Sequence, residues 1–204
     1  MAIKVLKPGL ATSVQDAGRP GYYHLGIPLS GVLDQQSLIL ANLLVGNDEG
    51  AAAIECTLMC PELEFDSAAV VAVTGAEAKV KLNGDEAPLN ASFAVRAGDK
   101  LGFDFMKLGA RMCIAVAGGI DVPMVLGSRS TYGLGAFGGY QGRKLQAGDV
   151  LPVGKPGAMA KAGRSIAGLL GAPVKEVTLR VLPGIYFHRL QEASAPACLP
   201  TRGP

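Results

Sequence analysis

Apolar residues occur in short runs along the chain, and glycine or proline interrupts these runs every few residues. Short apolar runs bounded by turn-forming residues are typical of β-strands. The pattern predicts strands over Ile3–Leu6, Ala52–Leu58, Ala69–Thr74, Ala78–Leu82, Lys100–Phe105 and Met112–Ala117. We therefore expect a mainly β protein.

One β-hairpin is predicted around Asn83-Gly84. Before this pair, apolar residues alternate with Lys79 and Lys81, which is the period of a strand with one buried face. An Asn-Gly pair tolerates the positive φ angles of a type I′ turn. We expect a two-residue turn there, with both lysines facing water.

One main helix is predicted over about residues 34–45. Asp34 can cap its N-terminus, and Gly46-Asn47 is a stop signal. Apolar residues occupy most of its circumference, so we expect burial against strands on more than one side. These apolar residues are Leu38, Ile39, Ala41, Leu43, Leu44 and Val45.

The chain divides into three regions. Residues 1–154 contain the predicted strands and the helix and form the first domain. Residues 155–173 are rich in Gly, Ala and Pro and have little periodicity, which favours a linker or mobile loop. Residues 174–204 contain a candidate last strand, Glu176–Leu182, and a tail, Ala193–Pro204, that we expect to be disordered.

Two short segments resemble each other. Arg96-Ala-Gly-Asp-Lys-Leu and Gln146-Ala-Gly-Asp-Val-Leu each place Gly-Asp before a predicted strand. A β-turn followed by a strand produces this pattern without any repeat of a larger unit.

Charge and cysteine content limit the classes of function. The 19 basic and 17 acidic residues nearly cancel, and no Lys/Arg cluster stands out, so we expect neither nucleic acid nor a membrane as partner. Pro8-Gly9 interrupts the N-terminal apolar run too early for a signal peptide. We interpret the chain as cytoplasmic, with proteins or small molecules as partners.

The irregular cysteine spacing predicts free thiols at Cys56, Cys60, Cys113 and Cys198.

The segment Gln15–Asp34 combines many polar side chains with glycines and prolines. Such a loop lies at the surface or around a cleft, because its buried backbone would lack hydrogen-bond partners. Arg19 could bind a carboxylate or phosphate with two parallel hydrogen bonds, and His24 titrates near neutrality. For each residue alone, a structural loop in which Asp16 pairs with Arg19 and His24 packs is an equal alternative. For the set we favour a functional role.

A second glycine-rich segment, Gly133–Gly138, has the spacing G-x-G-x-x-G. A dinucleotide site needs a strand before this motif and a helix after it, and neither is predicted. We expect a flexible polar loop that could cover a substrate. Donors for an anion would come from Ser128, Arg129, Ser130, Thr131 and Arg143.

The sequence indicates neither a metal site nor a complete hydrolytic site. Cys56 and Cys60 would share one face of a strand, and no histidine or second cysteine pair completes a tetrahedral set. The chain has two histidines and no Gly-x-Ser-x-Gly motif. If the chain is enzymatic, we expect a partner chain to complete the site.

Several stretches together resemble the family of the 5-oxoprolinase C component and allophanate hydrolase subunit 2. They occur in order along the chain up to about Gly184, which is far more specific than the glycine spacing alone. The family also includes biotin-dependent carboxyltransferase parts of urea amidolyase and an antagonist of a sporulation-kinase inhibitor. The stretches are Ser13–Asp34, Ala41–Asn47, Ala53–Leu58, Val73–Ala76, Ala115–Pro123 and Leu126–Tyr132.

The resemblance implies a cyclophilin-like β-barrel and one subunit of an ATP-dependent 5-oxoprolinase. That enzyme cleaves the amide of 5-oxo-L-proline to give L-glutamate, and the partners would be its inhibitor-like B component and its A component. ATP would be a co-substrate shared with those partners. Two alternatives stay open: a regulatory module that antagonises a kinase-inhibitor-like partner, and the carboxyltransferase part of a biotin-dependent urea or allophanate system.

With this function in view, we assign candidate site residues. The catalytic candidates are His24, as a proton-transfer or orienting group, Arg19, as an oxyanion or phosphate holder, and Asp16. The candidates for binding substrate or phosphate are Arg129, Ser128, Thr131 and Ser30. No metal ligand is assigned.

The sequence also departs from the family. Cys60 stands where the family usually has Gly, which would strain a turn that needs positive φ. Relatives continue past Leu182-Pro-Gly184 into a second half, whereas this chain continues into an Ala/Pro-rich tail. We expect a truncation near Ile185 and an incomplete second barrel half, which would expose sheet edges.

Overall fold

Short antiparallel strands make up most of the structure. The computed structural model describes residues 1–169, 178, 180–191 and 194. Within them, the helices are α1 (Gln35–Val45) and short 3-10 helices at Tyr23–Leu25, Ala167–Leu169 and Phe187–Arg189. The strands are β1 (Ala2–Lys7), β2 (Ala11–Gln15), β3 (Ala53–Thr57), β4 (Glu62–Phe65), β5 (Ala69–Glu77), β6 (Val80–Leu82), β7 (Asp85–Ala87), β8 (Ala91–Val95), β9 (Lys100–Phe103), β10 (Leu108–Val116) and β11 (Val150–Pro152).

These strands form two antiparallel sheets. The six-stranded sheet has the order β11-β1-β4-β9-β6-β7, and the five-stranded sheet has the order β2-β3-β10-β5-β8. The prediction of a mainly β protein with one main helix is confirmed, and each strand predicted up to Ala117 is present. Among the described strands both sheets are open, so they do not close into a barrel.

The main hydrophobic core lies between the two sheets. In β10, Met112, Ile114 and Val116 belong to this core, whereas Cys113 and Ala115 belong to a second cluster on the opposite face. This alternation is the two-residue period of a strand. Because both faces of β10 are covered, its second half is apolar throughout. The six-stranded sheet contributes Ile3, Val5, Leu63, Phe65, Leu101 and Leu151, all fully buried.

Helix α1 packs across the outer face of the five-stranded sheet. Asp34 caps it, as predicted, by accepting hydrogen bonds from Ser37 N at 3.0 Å and Ser37 Oγ at 2.6 Å. Gly46 ends it with φ 79°, also as predicted. The strands that contact α1 all belong to this one sheet, and Leu43 stays 47% exposed. The expected burial against strands on more than one side is therefore wrong.

The predicted hairpin joins β6 to β7. Asn83 and Gly84 have φ angles of 56° and 94°, so both central residues of the turn are left-handed. This confirms the Asn-Gly turn, because such φ angles are those of the hairpin types that Asn and Gly favour. The side chain of Lys79 is 55% exposed and that of Lys81 is 40% exposed.

Two similar turns precede β9 and β11. In each, an aspartate accepts a hydrogen bond from the backbone three residues earlier: Arg96 N donates to Asp99 Oδ2 at 2.7 Å, and Gln146 N donates to Asp149 Oδ2 at 2.7 Å. The glycine before each aspartate has a positive φ angle. Turn chemistry therefore explains why the two sequences are similar.

Asp149 makes an acid-sensitive contribution to stability. Arg143 Nη1 donates to Oδ2 at 2.8 Å and Nη2 to Oδ1 at 2.9 Å, and these hydrogen bonds hold the pKa of Asp149 below its usual value. A carboxylate with a lowered pKa in the folded state stabilises the fold above its unfolded pKa, about 3.9. This contribution is lost as the pH falls through the folded-state pKa.

We expect Asp149→Asn to lower the free energy of unfolding by about 1.5–3 kcal/mol at pH 7. The difference from the unaltered chain should shrink as the pH falls below about 4. Urea denaturation across this pH range measures it. Asp85→Asn, on the exposed hairpin, is the control that should change stability little. A loss that is equally large at every pH would contradict the assignment.

Residues 163–166 pair with β8, the edge strand of the five-stranded sheet. Ser92 N of β8 donates to Arg164 O at 2.8 Å, and Gly163 N donates to Ser92 O at 2.8 Å. The Arg164 guanidinium also donates to Leu43 O of α1 at 3.0 Å. The domain boundaries at 154 and 173, and the interpretation of the residues between them as a linker or mobile loop, stay predictions.

The region after residue 171 is described only in part. There, Phe187–Arg189 forms a 3-10 helix, and the Arg189 guanidinium carbon lies 4.9 Å from the centroid of the Tyr186 ring. Of the predicted strand Glu176–Leu182, the described residues 178 and 180–182 are not in a strand, and the other three lie outside the described part of the chain. The predicted tail Ala193–Pro204 lies outside the described residues except for Ser194.

Three cysteines are free thiols, as predicted: Cys56, Cys60 and Cys113. Burial raises the pKa of the Cys113 thiol, so this group is protonated and unreactive at neutral pH. Cys198 lies outside the described residues.

Candidate functional site

A network of buried hydrogen bonds joins the end of β2 to residues 128–131. The Asp16 carboxylate accepts from Gly18 N at 2.8 Å, Ser128 Oγ at 2.7 Å and Arg129 N at 2.6 Å. It also accepts from Ser130 Oγ. Asp16 is 9% exposed, so its oxygens are occupied by donors of this chain. It therefore links two segments that are 112 residues apart in sequence.

Thr131 extends this network onto the backbone of β2. Thr131 N donates to Val14 O at 3.0 Å, and Thr131 Oγ1 donates to the same oxygen at 2.9 Å. Gln15 Nε2 donates to Thr131 O at 3.4 Å and to Ser13 Oγ at 2.9 Å. A carbonyl oxygen can only accept a hydrogen bond, so the amide nitrogen of Gln15 must face Thr131 O. Gln15 Oε1 is then buried without a partner among the described residues.

Arg19 is buried next to this network and is 1% exposed. Its Nη2 donates to Ser130 O, and its guanidinium carbon lies 5.0 Å from the centroid of the Phe137 ring. Desolvation by burial lowers the pKa of Arg19, and the Asp16 carboxylate opposes this shift. Arg19 Nε and Nη1 have no partner among the described residues. Arg19 could bind a carboxylate or phosphate from solvent, as predicted, only if this side chain became exposed.

Arg129 holds the neighbouring loop. Its Nε donates to Val122 O at 2.8 Å, and its Nη2 lies 2.9 Å from Asp121 Oδ1. The side chain is 32% exposed. Arg129 therefore already fixes the chain between residues 121 and 129, and part of its guanidinium remains accessible.

Two glycines pack directly against these groups. A Cβ atom at Gly138 would lie 2.1 Å from Ser130 O and 2.7 Å from Arg19 Nη2. A Cβ atom at Gly139 would lie 1.8 Å from Thr131 Oγ1. Only glycine fits at either position, because non-bonded heavy atoms do not approach this closely.

The glycine-rich segment Gly133–Gly138 is a loop, as predicted. An isolated bridge between Tyr132 and Phe137 closes it. Within the described chain, no strand leads directly into it and no helix begins at its end. Next to it lies a mainly apolar cavity of about 480 Å³, whose lining includes Val122, Phe137 and Tyr140. The segment therefore lacks the strand and helix that a dinucleotide site requires.

An open cleft of about 350 Å³ lies on the outer face of the five-stranded sheet, beside α1. We name it the polar cleft. In the sheet, Ser13 of β2 is opposite Glu55 of β3, and Arg111 of β10 is opposite Thr57 of β3. The alternation that points Ala53 and Cys113 at α1 also points these polar side chains outward. The lining comprises Ala11, Ser13, Gln15, Glu55, Thr57 and Arg111, with Ser30, Gly31, Val32, Leu33 and Lys144 at the rim.

Glu55 and Arg111 form an ion pair in the floor of the polar cleft. Arg111 Nη1 lies 3.6 Å from Glu55 Oε2 and donates to Thr57 Oγ1 at 2.6 Å. Glu55 Oε1 accepts from Leu33 N at 2.8 Å. Glu55 is buried and Arg111 is about one-third exposed, so the carboxylate is enclosed while the guanidinium reaches the cleft.

The structure brings together most of the predicted site residues, but in two places. Asp16, Arg19, Ser128, Arg129 and Thr131 form the buried network. Ser30, with φ 55°, lies at the rim of the polar cleft.

His24 lies apart from both groups. It is exposed on the 3-10 helix Tyr23–Leu25, and no hydrogen bond to the described residues holds its side chain. Its assigned role as a proton-transfer group stays a prediction.

The floor of the polar cleft was not predicted from the sequence. Glu55, Thr57 and Arg111 were not proposed as site residues, and neither was Lys144. One signal was available: Glu55 is a charged residue within the otherwise apolar run Ala52–Cys56. A buried charge inside a strand is rare unless it is paired, so it indicates a partner or a site.

Two kinds of feature are absent from the part of the chain that the structure describes. No helix there is long and apolar enough to cross a membrane. No group of three or more His, Cys, Asp or Glu side chains in the same residues could hold a metal ion.

Comparison with known proteins places the chain among carboxyltransferase-like proteins. It is 38% identical to the 5-oxoprolinase C component of Escherichia coli strain K12, over 96% of this chain and 62% of that protein. It is 45% identical to urea amidolyase of Lachancea kluyveri, over 76% of this chain and 8% of that protein. The crystal structure of TTHA0988 superposes with a TM-score of 0.81 at 38% identity, covering 91% of this chain and 67% of that one.

The chain thus spans less than two thirds of the length of the Escherichia coli and Lachancea kluyveri relatives. The family model described as carboxyltransferase domain, subdomain A and B, matches residues 25–202. That match continues past Gly184, where we expected the resemblance to end. The described fold and the resemblance seen in the sequence agree with it, and the chain belongs to the carboxyltransferase domain, subdomain A and B, family.

Proposed function

We propose that this chain is a cytoplasmic component of an ATP-dependent 5-oxoprolinase, which converts 5-oxo-L-proline to L-glutamate together with partner subunits. The observation that carries the proposal is the polar cleft. It lies in a chain of which 96% aligns with the 5-oxoprolinase C component of Escherichia coli. The partners would be the inhibitor-like B component and the A component of the same enzyme.

The chemistry of a lactam explains why ATP is needed. Resonance makes the ring carbon a poor electrophile. If the lactam oxygen attacks the γ-phosphorus of ATP, ADP leaves and the ring carbon becomes more reactive. One water then adds to that carbon, the ring C–N bond breaks, and a second water hydrolyses the resulting acyl phosphate to glutamate and phosphate. The described residues contain no phosphate-binding glycine loop at a helix start, so we assign nucleotide binding to the partners.

The two groups of predicted residues then have separate roles. Asp16, Ser128 and Thr131 hold the backbone beside β2, and Arg129 fixes the adjacent loop. Arg19 stabilises the same loop by donating a hydrogen bond to Ser130 O. Ser30 borders the polar cleft, where substrate would bind. His24 is the candidate proton-transfer group, because an exposed imidazole can both donate and accept a proton through its ring nitrogens.

A second candidate is the carboxyltransferase part of a biotin-dependent urea or allophanate system. The 45% identity to a urea amidolyase favours it. In that case a carboxyl group would move from carboxybiotin on a partner's carrier domain to an amide nitrogen. A regulatory module that only binds a kinase-inhibitor-like partner is the third candidate.

One reconstitution separates these functions. We expect co-expression with the two partner subunits to give ATP-dependent glutamate release from 5-oxo-L-proline, and omission of this chain to abolish it. A parallel arm supplies urea, bicarbonate, ATP and a biotinylated carrier. Product only in that arm would replace the first proposal with the second. Stable assembly without product in either arm would support the regulatory role and reject the 5-oxoprolinase.

A further inference from the structure

The polar cleft has an excess of positive charge. Its lining contains two cationic side chains, Arg111 and Lys144, and one anionic side chain, Glu55. The Glu55 carboxylate is buried and already accepts from the backbone at Leu33 N. Its Oε1 is therefore occupied by a donor of this chain, and the charged groups that the cleft presents to a ligand are the two cations.

Arg111 keeps part of its guanidinium free. Only Nη1 is engaged within the described chain, by Thr57 Oγ1 and Glu55 Oε2. Nε and Nη2 make no hydrogen bond to the described residues and are left for a ligand. The ion pair and the Thr57 contact fix the plane of the guanidinium, which suits paired hydrogen bonds to a planar carboxylate.

Lys144 lies at the rim, and its backbone is held on both sides. Leu145 N donates to Thr12 O of β2 at 2.9 Å, and Arg143 pairs with both oxygens of Asp149. The Lys144 side chain itself is exposed and forms no ion pair within the described residues. The fold thus fixes the position of Lys144 while leaving its ammonium free.

Neutral donors complete the cleft. Ser13 Oγ accepts from Gln15 Nε2, which leaves its own O–H to donate. Ser30 lies at the rim in a left-handed conformation, φ 55°, that a non-glycine residue rarely adopts. The volume of about 350 Å³ is at the small end of the range for ligand sites, about 300–1,000 Å³.

We propose that the polar cleft is a carboxylate-binding site, in which Arg111 and Lys144 hold the carboxylate of a small amide substrate. This inference rests on the proposed function, because it takes the amide to be the lactam of 5-oxo-L-proline. It makes the cleft the feature that selects a carboxylated lactam over a neutral amide such as urea.

The test uses the assembled three-subunit complex and two readouts. Calorimetry compares binding of 5-oxo-L-proline, of 2-pyrrolidinone, which is the same lactam without the carboxylate, and of urea. Steady-state kinetics with 5-oxo-L-proline measures KM and kcat. The variants are Lys144→Met and Arg111→Lys. The latter keeps a cation beside Glu55, so that no buried charge is left unpaired.

We expect Lys144→Met to weaken 5-oxo-L-proline binding and to raise KM by about tenfold or more, with little change in kcat. Binding of 2-pyrrolidinone should not change. Arg111→Lys should have the same effect, since lysine cannot form the paired hydrogen bonds. The matched control is Lys107→Met, an exposed lysine outside the cleft, and it should leave binding and KM unchanged.

The outcomes distinguish this inference from the proposed function. If the complex turns over 5-oxo-L-proline and both variants keep the original KM and Kd, the carboxylate site is wrong and the proposed function stands. If the complex shows no turnover but binds 5-oxo-L-proline, and the variants abolish its preference over 2-pyrrolidinone, the site stands and the proposed function fails. Equal affinity of the unaltered complex for both lactams would overturn the site.

Discussion

Replacing Asp16 by alanine is expected to lower the free energy of unfolding by about 3–5 kcal/mol. The Asp16 carboxylate is buried and accepts from Gly18 N, Ser128 Oγ, Arg129 N and Ser130 Oγ. Its removal leaves these donors without an acceptor, and each unsatisfied buried group costs about 1–3 kcal/mol. It also removes the negative charge that compensates the buried Arg19 guanidinium.

Urea denaturation with an unchanged m-value measures this loss. The matched control is Asp121→Ala, which removes an aspartate that is 56% exposed and paired with Arg129. Because exposed ion pairs contribute little, the control should cost less than about 1 kcal/mol. Equal losses for the two variants would show that Asp16 is not the main link between β2 and residues 128–131.

Replacing Gly138 by alanine is expected to destabilise the fold by at least about 3 kcal/mol, the combined scale of overpacking and left-handed strain. The added Cβ would lie 2.1 Å from the backbone oxygen of Ser130. A backbone atom cannot rotate away as a side-chain tip does. The same Cβ would lie 2.7 Å from Arg19 Nη2, so the hydrogen bond from Arg19 to Ser130 would be displaced as well.

Gly127→Ala is the matched control for this substitution. Gly127 lies close by in sequence with φ 74°, similar to the 69° of Gly138, but nothing lies within 4 Å of an added Cβ. The control therefore carries only the left-handed strain, about 1–2 kcal/mol. Thermal and urea denaturation of both variants separate the two effects. If Gly138→Ala were no worse than Gly127→Ala, the close packing against Ser130 would be wrong.

Local features of the fold were predictable from the sequence because they depend on neighbouring residues. Asp34 and Gly46 mark the ends of α1 through capping chemistry that spans only a few positions. The Asn83-Gly84 turn is determined by its own two residues. The strand predicted over Met112–Ala117 was evident because both faces of this part of β10 are covered and it is therefore continuously apolar.

The candidate site was less predictable because its contacts are distant in sequence. Arginine is a typical anion-binding residue at a surface, but Arg19 is buried and donates to Ser130 O, 111 positions away. The floor of the polar cleft combines Ser13, Glu55 and Arg111, and its rim includes Lys144. No local pattern relates these residues, and only the pairing of β2 with β3 and of β3 with β10 brings them together.

The construction of the polar cleft on adjacent strands has a thermodynamic consequence. Ser13, Glu55 and Arg111 are attached to backbone that is hydrogen-bonded on β2, β3 and β10, which restricts movement of the floor. Binding there loses little conformational entropy in the protein, and the main ordering falls on the exposed Lys144 side chain. A ligand in the polar cleft would therefore meet a preorganised floor and one adjustable cation at the rim.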